Sequence, residues 1–187
     1  MKASDLKRGM ALEIDNQLWV ITELDHVKPG KGPAYIQAKM RGVLSGGVQE
    51  KRLRSTEDVN QVNLDRREIE YLYTDSSGAV FMDNETYDQL PVPLETLGEA
   101  AQFLAPNLQV TGLFYQGNCI TVEMPSAVEV TVTETPPGIK DATKTNQLKE
   151  ATCDTGLKTR VPPFISEGER IKVSTSTGEY LGRASGD

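Results

Sequence analysis

Residues 34–41, Ala-Tyr-Ile-Gln-Ala-Lys-Met-Arg, alternate with a period of two over their whole length. Ala34, Ile36, Ala38 and Met40 point one way, and Tyr35, Gln37, Lys39 and Arg41 the other. A helix would scatter those four apolar side chains around its circumference, whereas an extended strand gathers them on one face. The run is therefore a half-buried strand with a basic, hydrogen-bonding outer face. Similar runs recur along the chain. Residues 10–14 and 18–24 read as strands joined through Asp15-Asn16-Gln17, and Ser45-Gly46-Gly47 leads into a strand at 48–54. Residues 68–74 and 79–82 are predicted to pair across Asp75-Ser76-Ser77-Gly78, and 108–115 with 119–124 across Gln116-Gly117-Asn118. Residues 128–134 alternate β-branched with polar side chains. Strands at 152–161, 170–174 and 179–183 follow, the last two joined at Ser176-Thr177-Gly178. One helix is expected, over 94–104, where Leu94, Leu97, Ala101 and Leu104 recur at helical spacing. Residues 135–150 have no apolar period and read as an exposed loop.

At 187 residues the chain can hold one large domain or two to three small ones. The strand pattern divides it into an all-β arrangement of three small barrels. An SH3-like barrel is expected over 1–63, an OB-type barrel with one short helix over 64–127, and a second OB-type barrel over 128–187. No run approaches the ~18 apolar residues of a membrane span, and the N-terminus lacks an apolar signal core, so the expected location is the cytoplasm.

The formal net charge of −7 argues against a sequence-independent polyanion binder. Its distribution is uneven: 10 Lys+Arg against 8 Asp+Glu in 1–63, 2 against 10 in 64–128, and 8 against 9 in 129–187. An acidic middle between lysine-bearing ends suits contact with RNA at chosen faces. Lys51, Arg52 and Arg54 fit such a face, and fit equally a solvated edge strand. Two cysteines, Cys119 and Cys153, and one histidine, His26, make neither a disulfide framework nor a zinc site, so two reduced thiols and no metal are expected. Asp83-Asn84-Glu85-Thr86-Tyr87-Asp88 lacks the ligand spacing and glycine of a calcium loop and reads as a solvated turn. Signatures of catalysis are missing as well: there is no Gly-x-Ser-x-Gly elbow, and Lys31 is followed by Gly32 where a P-loop has Ser or Thr. These residues point to a binding protein without a cofactor.

The distinctive motif is Lys28-Pro29-Gly30-Lys31-Gly32-Pro33, between the strands at 18–24 and 34–41. Gly30 and Gly32 are expected to allow the backbone angles of a hairpin tip, while Pro29 and Pro33 stiffen its shoulders. Lys31 is left between two glycines with no bulky neighbour to shield it. An ordinary exposed hairpin lysine would look the same in isolation. The symmetric frame, however, resembles the tip of bacterial elongation factor P, and the resemblance extends along the chain. It includes Ala3 to Met10, Ala34-Tyr35 after the tip, and Phe81-Met82-Asp83-Asn84-Glu85-Thr86-Tyr87. Towards the C-terminus it runs through Lys149-Glu150-Ala151-Thr152, Thr155-Gly156, Val161-Pro162, Phe164-Ile165, Gly168-Glu169, Ile171-Lys172-Val173 and Gly178-Glu179-Tyr180.

The resemblance implies a KOW-like first domain, two OB domains and an elongated, tRNA-like monomer. It implies a translation factor without enzymatic activity that enters the 70S ribosome between the P and E sites and relieves stalling on consecutive prolines. The partners it implies are the P-site peptidyl-tRNA and an enzyme that modifies Lys31. Lys39 and Arg41, outward on the strand leaving the tip, are candidates for phosphate contact. Tyr35 and Arg183 complete the candidate tRNA or rRNA contacts. Many family members carry Gly-Asp-Thr in the first loop of the third domain, thought to approach the E-site codon. Here the corresponding stretch reads Asp141-Ala142-Thr143, with the glycine missing and the acid shifted by one position. Two alternatives stay open: a diverged paralogue with other stalling motifs, and a ribosome-independent RNA-binding β protein.

Overall fold

The computed structural model describes residues 1–137 and 147–184. Its strands form three separate five-stranded sheets, as the period-two runs require. Residues 1–66 with 113–121 pack as one compact unit, and 67–112 with the residues from 122 onward as the other. No helix among the described residues is long and apolar enough to cross a membrane.

The first sheet contains β1 (Ala11–Ile14), β2 (Gln17–Val27), β3 (Tyr35–Gly42), β4 (Val48–Arg54) and β5 (Gln61–Val62), ordered β4-β3-β2-β1-β5. The β1–β2 turn is shorter than expected, because Gln17 already pairs with Ile14. Asp15 and Asn16 alone make the turn, at φ of 52° and 60°. Two left-handed residues suit a right-twisted hairpin, and Asp and Asn tolerate that region well. Leu12, Trp19, Ile21, Ile36, Ala38, Met40 and Leu53 form the core, closed by Ala3 and Leu6 from the N-terminal segment. In β3, Ile36, Ala38, Met40 and Gly42 are buried and their neighbours are half-buried, as the alternation predicts.

The second sheet runs β10-β9-β6-β7-β8. Its strands are β6 (Asp65–Asp75), β7 (Gly78–Asp83), β8 (Gln89–Val92), β9 (Gln109–Tyr115) and β10 (Asn118–Glu123). Tyr71 and Phe81 meet edge to face on it, with ring centroids 5.7 Å apart. The expected helix is cut short. A single α-turn, α1 (Leu94–Leu97), gives way at Gly98 to a 3₁₀ segment, Gly98–Phe103. Gly98 sits at φ 56° and ψ −129°, outside helical space, and breaks the hydrogen-bond ladder. The apolar stripe shifts accordingly: Leu94 is 43% exposed, while Leu97, Phe103 and Leu104 are buried. The Asp83–Asp88 segment is a turn, but its first carboxylate is not solvated. Asp83 is 3% exposed. Its Oδ1 accepts the Glu85 and Thr86 N–H groups at 2.8 and 3.2 Å, and its Oδ2 lies 3.6 Å from Arg67. Those two N–H donors, helped by Arg67, hold the carboxyl below its ordinary range.

The third sheet runs β13-β12-β11-β14-β15. It is built from β11 (Ala127–Glu134), β12 (Lys149–Cys153), β13 (Lys158–Val161), β14 (Arg170–Ser174) and β15 (Tyr180–Arg183). The run expected as one strand at 152–161 is two. The chain reverses between them, with Gly156 N–H donating to Cys153 O and Cys153 N–H to Leu157 O. The stretch at 135–150 is anchored at both described ends. Thr135 is buried and its Oγ1 donates to Glu150 O at 2.8 Å, while Lys149 and Glu150 already belong to β12.

Both cysteines are free, Cys119 half-buried and Cys153 buried. Burial pushes both thiols up from 9.0 to about 11. The fold therefore favours the neutral thiol, a contribution fully present below pH 9 and lost as pH rises towards about 11. A shift of that size lowers the thiolate fraction at neutral pH about 100-fold. We expect iodoacetamide at pH 8 to label the native protein about 100-fold more slowly than the denatured protein. Denatured, unreduced protein should titrate as two thiols.

Candidate functional site

The β2–β3 ladder runs from Trp19↔Gly42 to Val27↔Tyr35 and carries the motif at its end. It is interrupted once, where the register shifts between Ile21 and Glu23. The intervening Thr22 turns its Oγ1 onto Lys39 O at 3.0 Å. Such a bulge bends the strand and changes which side chains face inward. Trp19, Val20 and Ile21 are buried before it, whereas Glu23 and Asp25 are exposed after it. One eleven-residue strand thus serves the core at one end and a solvated arm at the other.

Residues 28–34 connect the two strands, and the two glycines contribute differently. Gly32 sits at φ 108°, which a side chain would strain. Gly30 does not have a positive φ, and a Cβ built there meets nothing within 4 Å. The expectation that both glycines supply unusual backbone angles is thus met by Gly32 alone. Gly30 instead leaves open space beside the lysine. A Cβ at Gly32 would lie 4.0 Å from the Pro29 ring, so Pro29 lies across the loop from the left-handed residue. Lys28, Lys31 and Pro33 are exposed. Neither lysine has a hydrogen bond or ion pair among the described residues.

Behind the tip, β3 and β4 together present one outer face. Tyr35, Gln37, Lys39 and Arg41 lie opposite Arg54, Arg52, Glu50 and Val48 in the ladder. The Arg52 guanidinium sits over the Tyr35 ring, 3.6 Å from its centroid, in a cation–π contact. Lys39 Nζ is 3.6 Å from Glu23 on the neighbouring strand. Arg41 is half-buried, and burial pushes its guanidinium down from the ordinary value. Lys51 pairs with Ala38 on the opposite face. Arg52 and Arg54 therefore join the candidate face and Lys51 does not. The sequence of β4 left this undecided, because the sorting depends on a cross-strand register that neither strand contains alone.

Tyr35, Lys39 and Arg41 are brought together. Arg183 belongs to the other unit, on β15, where its Nε is 3.2 Å from Glu169 Oε2 and its guanidinium lies 4.9 Å from the Phe164 ring. Asp141, Ala142 and Thr143 fall outside the described residues. No group of three or more His, Cys, Asp or Glu placed to hold a metal occurs among the described residues. The site offers a solvated amine on a braced arm, with an aromatic and cationic face behind it.

Three family models match the chain. The model described as Elongation factor P (EF-P) KOW-like domain matches residues 2–59, and the Elongation factor P (EF-P) OB domain matches 64–122. The model described as Elongation factor P, C-terminal, matches 128–183. The elongation factor P of Acidothermus cellulolyticus is 46% identical over 181 residues, which cover 97% of this chain and 97% of that protein. The elongation factor P of Syntrophomonas wolfei is 42% identical over 183 residues, covering 98% and 99%.

The unequal glycines generate a paired prediction. Gly32→Ala should destabilise the hairpin by about 1–2 kcal/mol, the cost of placing a side chain at left-handed φ. Gly30→Ala should stay within about 0.5 kcal/mol of the wild type. Denaturant melts of the two variants check this. Equal stability would contradict the backbone assignment.

Proposed function

The chain belongs to the elongation factor P family, and from that premise we propose that it acts on ribosomes stalled at consecutive prolines, with Lys31 as its working end. In this reading it enters the 70S ribosome between the P and E sites, in the cytoplasm. The braced hairpin carries Lys31 towards the CCA end of the P-site peptidyl-tRNA. Tyr35, Lys39 and Arg41, joined by Arg52 and Arg54, hold the acceptor-arm backbone. Cations on a strand face can contact phosphates without reading sequence, which suits a factor that must accept many tRNAs. A modifying enzyme extends the Lys31 amine and so lengthens its reach.

The contribution to rate is positional. Steadying the peptidyl-tRNA in a reactive geometry lowers the entropic part of the barrier, and well-oriented reactants can gain several kcal/mol in this way. No residue of the factor needs to form a bond. The observation that carries the reading is the isolation of Lys31. It is exposed, has no hydrogen bond or ion pair among the described residues, and stands beside Gly32, which holds a left-handed backbone angle.

Lys31→Ala should therefore melt within about 0.5 kcal/mol of the wild type and fail to relieve stalling in a proline-repeat translation reporter. Lys31→Arg separates charge from chemistry, because it keeps the cation but removes the primary amine that a lysine-modifying enzyme requires. It should fail nearly as badly as the alanine variant. Full rescue by Lys31→Ala would overturn the reading; rescue by Lys31→Arg alone would overturn the requirement for an extended amine.

A further inference from the structure

The hydrophobic core of the third sheet is not made from its own strands alone. Val128, Val130, Val132, Ala151, Cys153, Leu157, Val161, Ile165, Ile171 and Val173 are joined in one buried cluster by Phe103. Phe103 ends the 3₁₀ segment that follows α1, and it is 3% exposed. Leu108 and Met124 pack against the same cluster. A Cβ built at Gly178, in the β14–β15 turn, would lie 3.9 Å from the tip of the Phe103 ring.

Of these, Leu108 is tied by its backbone, and by that of its neighbour Asn107, to the second sheet. Leu108 O accepts the Tyr71 N–H at 2.9 Å, and Asn107 N–H donates to Tyr71 O at 3.0 Å. Tyr71 in turn packs on Phe81 in that sheet's interior. The connection between β10 and β11 is pinned as well: Thr175 N–H donates to Ser126 O at 3.1 Å, and Thr175 Oγ1 donates to Pro125 O.

We propose that Phe103 is a core-sharing anchor that locks residues 67–112 to the third sheet, β11–β15, in one cooperative body, so that the third sheet lacks a complete core without it. A hinge between two self-sufficient barrels would need an apolar surface complete on each side and a solvated connection. Here an aromatic ring from one sequence segment fills the other's interior, and the connection is hydrogen-bonded. Separating the two would expose Phe103, Leu108 and the floor of the third core together, which makes the opening steep in free energy.

Native-state hydrogen exchange on the full chain tests this. In the wild type, protected amides of β6 and β7 and those of β11 and β14 should exchange through one common opening, with the same denaturant dependence. Phe103→Ala should speed exchange across β11–β15 by about 100-fold or more, as expected for losing a buried aromatic side chain. Leu97→Ala truncates a buried residue that precedes the anchor and lies outside the shared cluster; it should leave exchange in β11–β15 relative to β6–β7 unchanged. If Phe103→Ala does not fold, Phe103→Leu, which retains part of the plug, should give an intermediate acceleration. Separate openings for the two sheets in the wild type, or β11–β15 protection unaltered in either folded Phe103 variant, would overturn the proposal. None of these readouts involves a ribosome, so the outcome is independent of the stall-relief reading.

Discussion

The antiparallel ladder between β2 and β3 is the constraint on which the candidate site depends. It fixes the register from Trp19↔Gly42 to Val27↔Tyr35, and every other feature of the arm follows from that register. The core end buries Trp19, Ile21, Ala38 and Met40, so the strands are held by apolar burial and backbone hydrogen bonds together. The bulge at Thr22 then changes the facing pattern, so that the arm continues with charged side chains outward while remaining paired. Without the ladder, a seven-residue loop rich in glycine and proline would sample many directions. With it, the loop begins and ends on residues whose positions are set.

Charge placement continues the same logic. The cations of the arm are engaged to different degrees. Lys39 has a loose pairing with Glu23, Arg52 stacks on Tyr35, and Lys28 and Lys31 are exposed with no hydrogen bond or ion pair among the described residues. Exposed ion pairs contribute little to stability, so leaving Lys28 and Lys31 without one costs the fold little. One carboxylate of the middle segment is placed differently: Asp83 is buried, satisfied by two N–H groups and paired with Arg67, and it supports a turn. Arg183 is likewise already engaged, with Glu169 and Phe164. A polyanionic partner would have to compete for Arg183, whereas it would meet Lys31 unopposed.

Much of this was legible from the sequence. The alternation in β3 and β11 places the correct residues inside because a period of two has only one structural solution. The Pro-Gly-Lys-Gly-Pro frame lies in the connection between the paired strands β2 and β3. Where sequence pattern and structure differ, a long-range contact or a single backbone break decides the outcome. The helix at 94–104 was inferred from leucine spacing, but Gly98 ends it after one turn and Phe103 takes over the burial. The two-strand split at 154–157 was hidden because the run is β-prone on both sides of its turn. Which of Lys51, Arg52 and Arg54 faces the site depends on pairing with β3, and the destination of Phe103 depends on a core assembled from residues 25 to 70 positions further along. Local pattern determines which face a residue takes within its element, but not what that face will meet.

Under the proposed function, this arm delivers position 31 to the end of a tRNA. Gly30 offers a way to test it directly, because its backbone is unstrained, its surroundings are open, and Lys31 stays intact beside it. A photoreactive benzophenone residue installed at position 30 should, on ribosomes stalled at a proline repeat, cross-link to the 3′-terminal nucleotides of the P-site tRNA. Cross-linking at other sites only, from a factor shown to be ribosome-bound, would contradict the account.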